Sequence, residues 1–177
     1  NPTQHGHCWA TTSNPTTSNN YTAKGAKSTI GAYTSSLTGL TAGTLYYVRA
    51  YATNSAGTVY GSEVSFTTIP SAPTAATATS ITESSFSANW IASSGATSYV
   101  LWVATVSNFS SYVSGYNGLN VGNVTTYAVD GLSAGTTYYY RLKARNSGGY
   151  SAYSNTISTS SYQSPTVSTQ AVTTITT

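Results

Sequence analysis

His5, His7 and Cys8 form the only cluster of metal-ligating residue types in the chain. Zinc takes such side chains in closed tetrahedral sets, but this spacing works against a site. In an extended backbone His5 and His7 share one face and Cys8 points to the other, so a strand cannot bring all three to one ion. His7 therefore reads as a partly buried strand histidine. The acids are Glu63, Glu83 and Asp130, and they fall at unrelated places in the repeat described below. A glycosidase needs a pair of carboxylates, and a Ser-His-Asp site would need His5 or His7 beside Asp130 of the other half. No catalytic residue, metal or cofactor is expected, and the chain reads as a non-enzyme. The remaining candidates are aromatic. Trp102, Tyr112, Tyr116, Tyr150 and Tyr153 lie on the outward phase of the strands expected there. Such rings suit sugar stacking or subunit contacts, where Tyr and Trp are enriched. Pairing of exposed tyrosines across strands accounts for them equally.

The elements that must position these residues are written twice. LTAGTLYYVRAYATNSAG begins at Leu40 and LSAGTTYYYRLKARNSGG at Leu132, 92 residues apart. A fixed period of this kind sets the frame for everything else. It implies two units within 177 residues, each large enough for a modest core. Within each copy the residues alternate in the strand manner. In the first, Tyr46, Val48, Ala50 and Ala52 share one face, and Tyr47, Arg49 and Tyr51 the other. In the second, Phe86, Ala88 and Trp90, then Tyr99, Leu101 and Val103, then Tyr138, Tyr140, Leu142 and Ala144 form the expected core. A last strand is expected over 153–157, and residues 112–124 read as loop and edge strand. Short strands with turn signals at this spacing predict an all-β fold of antiparallel sandwiches, and no segment has helical periodicity.

Composition narrows the function classes. Charged residues are 5% of the chain, against about 25% in average domains. Its 16 Tyr and 3 Trp set it apart from disordered chains, which are poor in aromatics. Six basic residues in no long run do not make the stripe that neutralises nucleic-acid phosphates. No apolar run reaches the length of a membrane helix, so neither nucleic acid nor membrane insertion is expected. One cysteine excludes an internal disulfide. So little surface charge calls for another source of solubility, or for burial in an assembly. Three Asn-x-Ser/Thr sequons, at Asn20, Asn108 and Asn123, are candidate glycosylation sites.

The second copy, with Trp90 upstream of Leu132-x-x-x-Thr136-x-Tyr138-x-Tyr140-x-Leu142-x-Ala144-x-Asn146, resembles the fibronectin type III domain. The likeness covers residues 71–160. The first copy, with HGHCWATTSNPTTSNN ahead of its repeated stretch, resembles the variant found in Bacteroidota surface and secreted proteins. The resemblance implies a tyrosine corner at Tyr138 and Tyr46, a phenol bonded back to the chain at the end of the sandwich. It implies no single function, because such domains act as spacers, adhesive modules and assembly units alike.

Aligned on Ala10 and Ala104, the first copy has no counterpart of the first two strands of the second. The expected division is an incomplete domain over 1–68, a complete one over 69–162, and a C-terminal strand over 163–177. In that last stretch Pro165-Thr166 stands 92 residues after Pro73-Thr74. It resembles the first strand of a further copy, with Val167, Thr169, Ala171, Val172 and Ile175 as candidate donor-strand residues. An uncovered sheet attracts a strand. Two arrangements fit: the tail of one subunit completes the first domain of the next, head to tail, or the chain is a window on a longer array. The expected function is a structural subunit of an extracellular filament or surface stalk. Its partners would be copies of itself, with covalent glycans and with extracellular polysaccharide as a further candidate. The rival is a spacer or carbohydrate-binding, adhesive module of a larger secreted protein.

Overall fold

The computed structural model describes residues 1–29 and 31–168. Among them the ordered elements are all β-strands, paired antiparallel throughout. The second copy builds two sheets. One runs β10–β7–β6, from β6 (Thr74–Thr79), β7 (Ser85–Ile91) and β10 (Thr126–Asp130). The other runs β12–β11–β8–β9, from β8 (Ser98–Ala104), β9 (Tyr112–Gly122), β11 (Thr137–Asn146) and β12 (Gly149–Tyr150). A further strand, β13 (Ile157–Ser160), also pairs with β11. The alternation read from the sequence sets which side chains meet between the sheets. Phe86, Ala88, Trp90, Tyr99, Leu101, Val103, Tyr138, Tyr140, Leu142 and Ala144 are all buried and form one cluster with Val129 and Leu132. Each large apolar side chain so enclosed contributes about 1.5–3 kcal/mol.

Tyr140 ties the two sheets together. Its ring stacks on Phe86 at 5.7 Å. Its hydroxyl donates to the Ala76 carbonyl on β6 and accepts the Asn89 amide of β7 at 3.3 Å. The corner predicted for Tyr138 is formed: the Ser133 amide donates to its phenol oxygen at 2.8 Å. The first copy repeats this, with the Thr41 amide donating to Tyr46 at 3.0 Å.

Two strand boundaries differ from the sequence reading. Residues 112–122 form one continuous strand, β9, with irregular register against β8. The last strand is Ile157–Ser160 rather than 153–157. Ser151 and Ser154 lie before it, and their hydroxyls accept the Ala144 and Leu142 amides. The Ser151 and Ser154 amides in turn donate to the Ala144 and Leu142 carbonyls, so each serine closes a side-chain and backbone pair with β11 in place of a regular ladder.

The first copy forms a single sheet. Its strands are β1 (Gln4–Ala10), β2 (Asn20–Tyr21), β3 (Leu45–Asn54), β4 (Gly57–Tyr60) and β5 (Val64–Thr67). The order is β2–β1–β3–β4, with β5 also on β3. Among the described residues no second sheet faces it. The two copies meet at residues 67–71. Asn146 Nδ2 donates to the Thr68 carbonyl at 2.9 Å, and the Ser93 hydroxyl donates to the Ser71 carbonyl. Backbone packs directly on backbone here: a Cβ on Gly148 would lie 2.1 Å from the Thr67 carbonyl oxygen.

Candidate functional site

The first candidate surface is the inward face of the single sheet. Register sets His5 against Ala52, His7 against Ala50 and Trp9 against Val48. It continues the same face to Val59 opposite Ala52, and to Val64 and Phe66 opposite Val48 and Tyr46. The equivalents of Val48, Ala50 and Ala52 in the second copy are Tyr140, Leu142 and Ala144, each 0% exposed. In the first copy all three are half-buried, while Val59 is 69% and Val64 60% exposed. The sheet thus presents an apolar face of a kind the second copy encloses.

Among the described residues only part of that face is covered, by the segment around Tyr33. The Tyr33 ring packs edge-on against His5 at 4.7 Å and tilted against His7 at 4.8 Å, and its hydroxyl donates to the Gly6 carbonyl at 2.8 Å. His5 Nδ1 lies 2.8 Å from the Gly25 carbonyl, so that nitrogen carries the proton. His7 Nδ1 lies 2.9 Å from the Ser35 hydroxyl. Burial, then the nearby Lys24 and His5 charges, hold His7 below the ordinary histidine range. Beside Tyr33 the face opens into depressions of about 280 Å³, bounded by His5, Lys27 and Ala52, and about 270 Å³, bounded by Ala50, Val59 and Gly61.

Cys8 lies on the opposite face, fully buried, with its thiol donating to the Pro15 carbonyl at 3.3 Å. Burial raises its pKa. Tyr51, expected on the exposed phase, is 3% exposed. Residues 15–22 fold back over that face, so Tyr51 donates to the Thr22 carbonyl at 2.9 Å and packs against Tyr21. Each of the three histidine and cysteine side chains is thus engaged in a hydrogen bond within the first copy, and no group of three potential metal ligands occurs among the described residues.

The second candidate surface is the outer face of the β12–β11–β8–β9 sheet. Here the aromatic candidates divide. Trp102 meets Tyr153 edge-on at 5.1 Å. The Arg141 guanidinium lies 3.9 Å from the centroids of both Phe109 and Tyr153. Lys143 lies 4.2 Å from Tyr153 and Arg145 5.2 Å from Tyr150. Three cations on alternate positions of one strand thus sit among rings, a grouping that appears only once β8, β11 and the 150–153 stretch are folded together. Tyr112 stands at the margin, against Phe109. Tyr116 is separate: it packs against the core and accepts the Asp130 amide at 2.9 Å. The register shift between the Trp102–Asn117 and Ala104–Tyr112 pairs turns Tyr116 inward, so it does not belong to the outer strip.

The carboxylates also differ from their sequence placement. Asp130 pairs with Ser85, two residues from Glu83, so both come to one end of the second sandwich. Glu83 accepts the Ser164 hydroxyl, and Glu63 accepts the Asn14 amide in the first copy. The sequon residues Asn20, Asn108 and Asn123 are all exposed. Val167 is 92% exposed. The other donor-strand candidates, Thr169, Ala171, Val172 and Ile175, lie outside the described residues.

The fold and these surfaces define a class. The fibronectin type III domain profile matches residues 71–160, and the chain belongs to that family, whose domains serve as structural or adhesive modules and are typically non-enzymatic. Similar solved structures include the three-domain FN1–FN3 segment of chicken CNTN1. It is 18% identical over 90% of this chain and 56% of that one, with a TM-score of 0.45. A fibronectin type III domain of human KIAA0970 is 14% identical over 55% of this chain and 78% of its own, with a TM-score of 0.46. A curated relative, a Kelch domain-containing protein of Saccharolobus solfataricus, is 54% identical over 44 residues. That stretch is 24% of this chain and 6% of the relative's length. No helix among the described residues is long and apolar enough to cross a membrane.

Proposed function

We propose that this chain is a structural subunit of an extracellular filament or stalk, assembled head to tail. The C-terminal strand 163–177 of one copy adds to the incomplete first domain, 1–68, of the next. The observation that supports it is the inward face of the single sheet. Residues equivalent to a fully enclosed core in the second copy stand half-buried in the first, beside exposed Val59 and Val64. A strand laid over that face would bury it, with alternate side chains setting the register. The tail suits the role because its Pro165-Thr166 repeats the Pro73-Thr74 that leads into β6. Contacts that do not close on themselves produce fibres. The sparse charge and the exposed sequons fit a glycosylated protein outside the cell. The His5, His7 and Cys8 side chains are each engaged in hydrogen bonds within the first copy, which fits a non-enzymatic part.

Deleting residues 164–177 tests this. Intact chain should form extended fibres by electron microscopy, and the deletion should stay monomeric. An intact chain that sediments as a monomer at high concentration would sink the reading. The outer strip supports a second reading, an adhesive module of a larger secreted protein. Val100, Trp102, Gly118, Lys143 and Tyr150 bound a shallow hollow of about 200 Å³, and Trp102 and Tyr150 offer rings to a sugar. Tyr150→Ala and Tyr153→Ala separate the two: loss of polysaccharide binding with fibres intact supports adhesion, and the reverse supports assembly.

A further inference from the structure

The end of the first copy on which the second packs is reproduced at the far end of the second copy, where no other domain lies on it among the described residues. At the junction the Gly43 amide donates to the Ile69 carbonyl at 2.8 Å, and the Thr68 amide to the Thr44 carbonyl at 3.0 Å. The Thr68 hydroxyl accepts the Thr44 amide at 2.9 Å and donates to the Thr41 carbonyl at 2.7 Å. At the far end the Gly135 amide donates to the Tyr162 carbonyl at 3.0 Å, and the Ser161 amide to the Thr136 carbonyl at 3.0 Å. The Ser161 hydroxyl accepts the Thr136 amide at 3.1 Å and donates to the Ser133 carbonyl at 2.6 Å. The glycines match in conformation, with φ of 64° at Gly43 and 61° at Gly135.

The two ends differ in what lies on them. A Cβ on Gly43 would lie 2.6 Å from the Ser94 carbonyl oxygen and 2.7 Å from the Gly95 Cα, backbone atoms of the second copy. A Cβ on Gly135 would meet the Gln163 side chain, with its Oε1 at 2.8 Å. Gln163 stands where Pro70 stands at the junction, and its amide lies over the glycine that a neighbouring domain covers in the first copy.

We propose that residues 133–136 and 160–163 are a docking seat for the first domain of a second copy, entered by the turn Asn54-Ser55-Ala56-Gly57. This rests on the head-to-tail reading above and supplies it with a second contact. The turn is the counterpart of Asn146-Ser147-Gly148-Gly149, which occupies the first seat. Both carry the same internal bond: Asn146 Oδ1 accepts the Gly148 amide at 2.8 Å, and Asn54 Oδ1 the Ala56 amide at 2.9 Å. That bond orients the side chain so that Asn146 Nδ2 reaches the Thr68 carbonyl. Asn54 Nδ2 is set to reach the Ser161 carbonyl in the same way. Asn146 is 7% exposed against its neighbour, whereas Asn54 is exposed. The chain leaves the seat at Ser164 as it leaves the junction at Ser71. A copy seated there receives the tail on the side where β6 begins in the second sandwich. One difference loosens the fit. Gly148 packs so closely that a Cβ would lie 2.1 Å from the Thr67 carbonyl oxygen, and the matching residue of the turn is Ala56. Seating the turn there requires a shift that clears that methyl group.

Sedimentation velocity over a concentration series tests the seat with three variants. Gly135→Asn adds a Cβ whose nearest neighbours are atoms of the flexible Gln163 side chain, and Asn tolerates positive φ, so the fold should hold. Self-association should weaken about tenfold or more. Ala56→Gly should tighten it by a similar factor, and this arm stands even if Gly135→Asn folds poorly. Deletion of 164–177 reads the strand contact separately. If association needs the tail yet ignores both seat variants, strand addition stands and the seat is wrong. If it follows the seat variants and ignores the tail, the seat stands and strand addition is wrong. An intact chain that never associates overturns both.

Discussion

Tyr140→Phe removes one oxygen from the middle of the second sandwich and leaves its shape intact. In the native fold that oxygen joins β11 to two strands of the facing sheet, the edge strand β6 through the Ala76 carbonyl and the central strand β7 through the Asn89 amide. The side chain is 0% exposed, so water cannot replace it without opening the core. Each buried polar group left unpaired costs about 1–3 kcal/mol. Two such groups span about 2–6 kcal/mol, and because Ala76 and Asn89 are themselves half-buried the lower part applies, about 2–3 kcal/mol. For a domain of this size each kcal/mol moves Tm by about 4–8 °C. Urea denaturation followed by tryptophan fluorescence should show a lower midpoint at unchanged slope, since the same surface is exposed on unfolding. Tyr138→Phe is the internal comparison. It frees only the Ser133 amide, on an exposed residue, and should cost about 1 kcal/mol. If Tyr140→Phe cost less than about 0.5 kcal/mol, the level of an ordinary surface change, the hydroxyl would not be a tie between the sheets.

Other outcomes follow from the same geometry. His7 is held below its unfolded pKa by burial, so the folded state binds fewer protons than the unfolded one near that pKa. The first copy's stability should be full above the unfolded value of about 6.5 and fall as pH drops through the lower folded value. His7→Gln should flatten that slope in pH-dependent melts. Cys8 is fully buried with a raised pKa, so a thiol reagent should leave it unmodified in the native protein and label it at once in denaturant. Labelling of native Cys8 at the unfolded rate would contradict the placement of residues 15–22. Gly148→Ala should disrupt the junction, because its Cβ meets the Thr67 backbone. Small-angle scattering should then show a changed separation of the two halves with both still folded.

Much of this was legible in the residue order. The 92-residue period set the two copies, and strict alternation selected the core of the second, down to Phe86, Ala88 and Trp90 facing Tyr140, Leu142 and Ala144. The tyrosine corners were implied by the resemblance to the fibronectin type III domain, and the bonds are local: Tyr138 accepts from the amide five residues back, and Tyr46 does the same. Strand period is a local property, and these features depend on nothing beyond it.

Other features required chain segments distant in sequence to meet. Tyr51 has the phase of an exposed residue, yet residues 15–22 cover it. Tyr116 has the phase grouped with Trp102, yet the irregular register of β9 turns it to Asp130. The stacking of Arg141 between Phe109 and Tyr153 joins three separate stretches. So does the clamp of Asn146 on Thr68, which the repeat predicts in neither copy. Alternation decides which face a side chain takes. What that face meets depends on how the strands are ordered, how the loops return over them and where one copy leans on the next, and those are long-range contacts that no periodicity encodes.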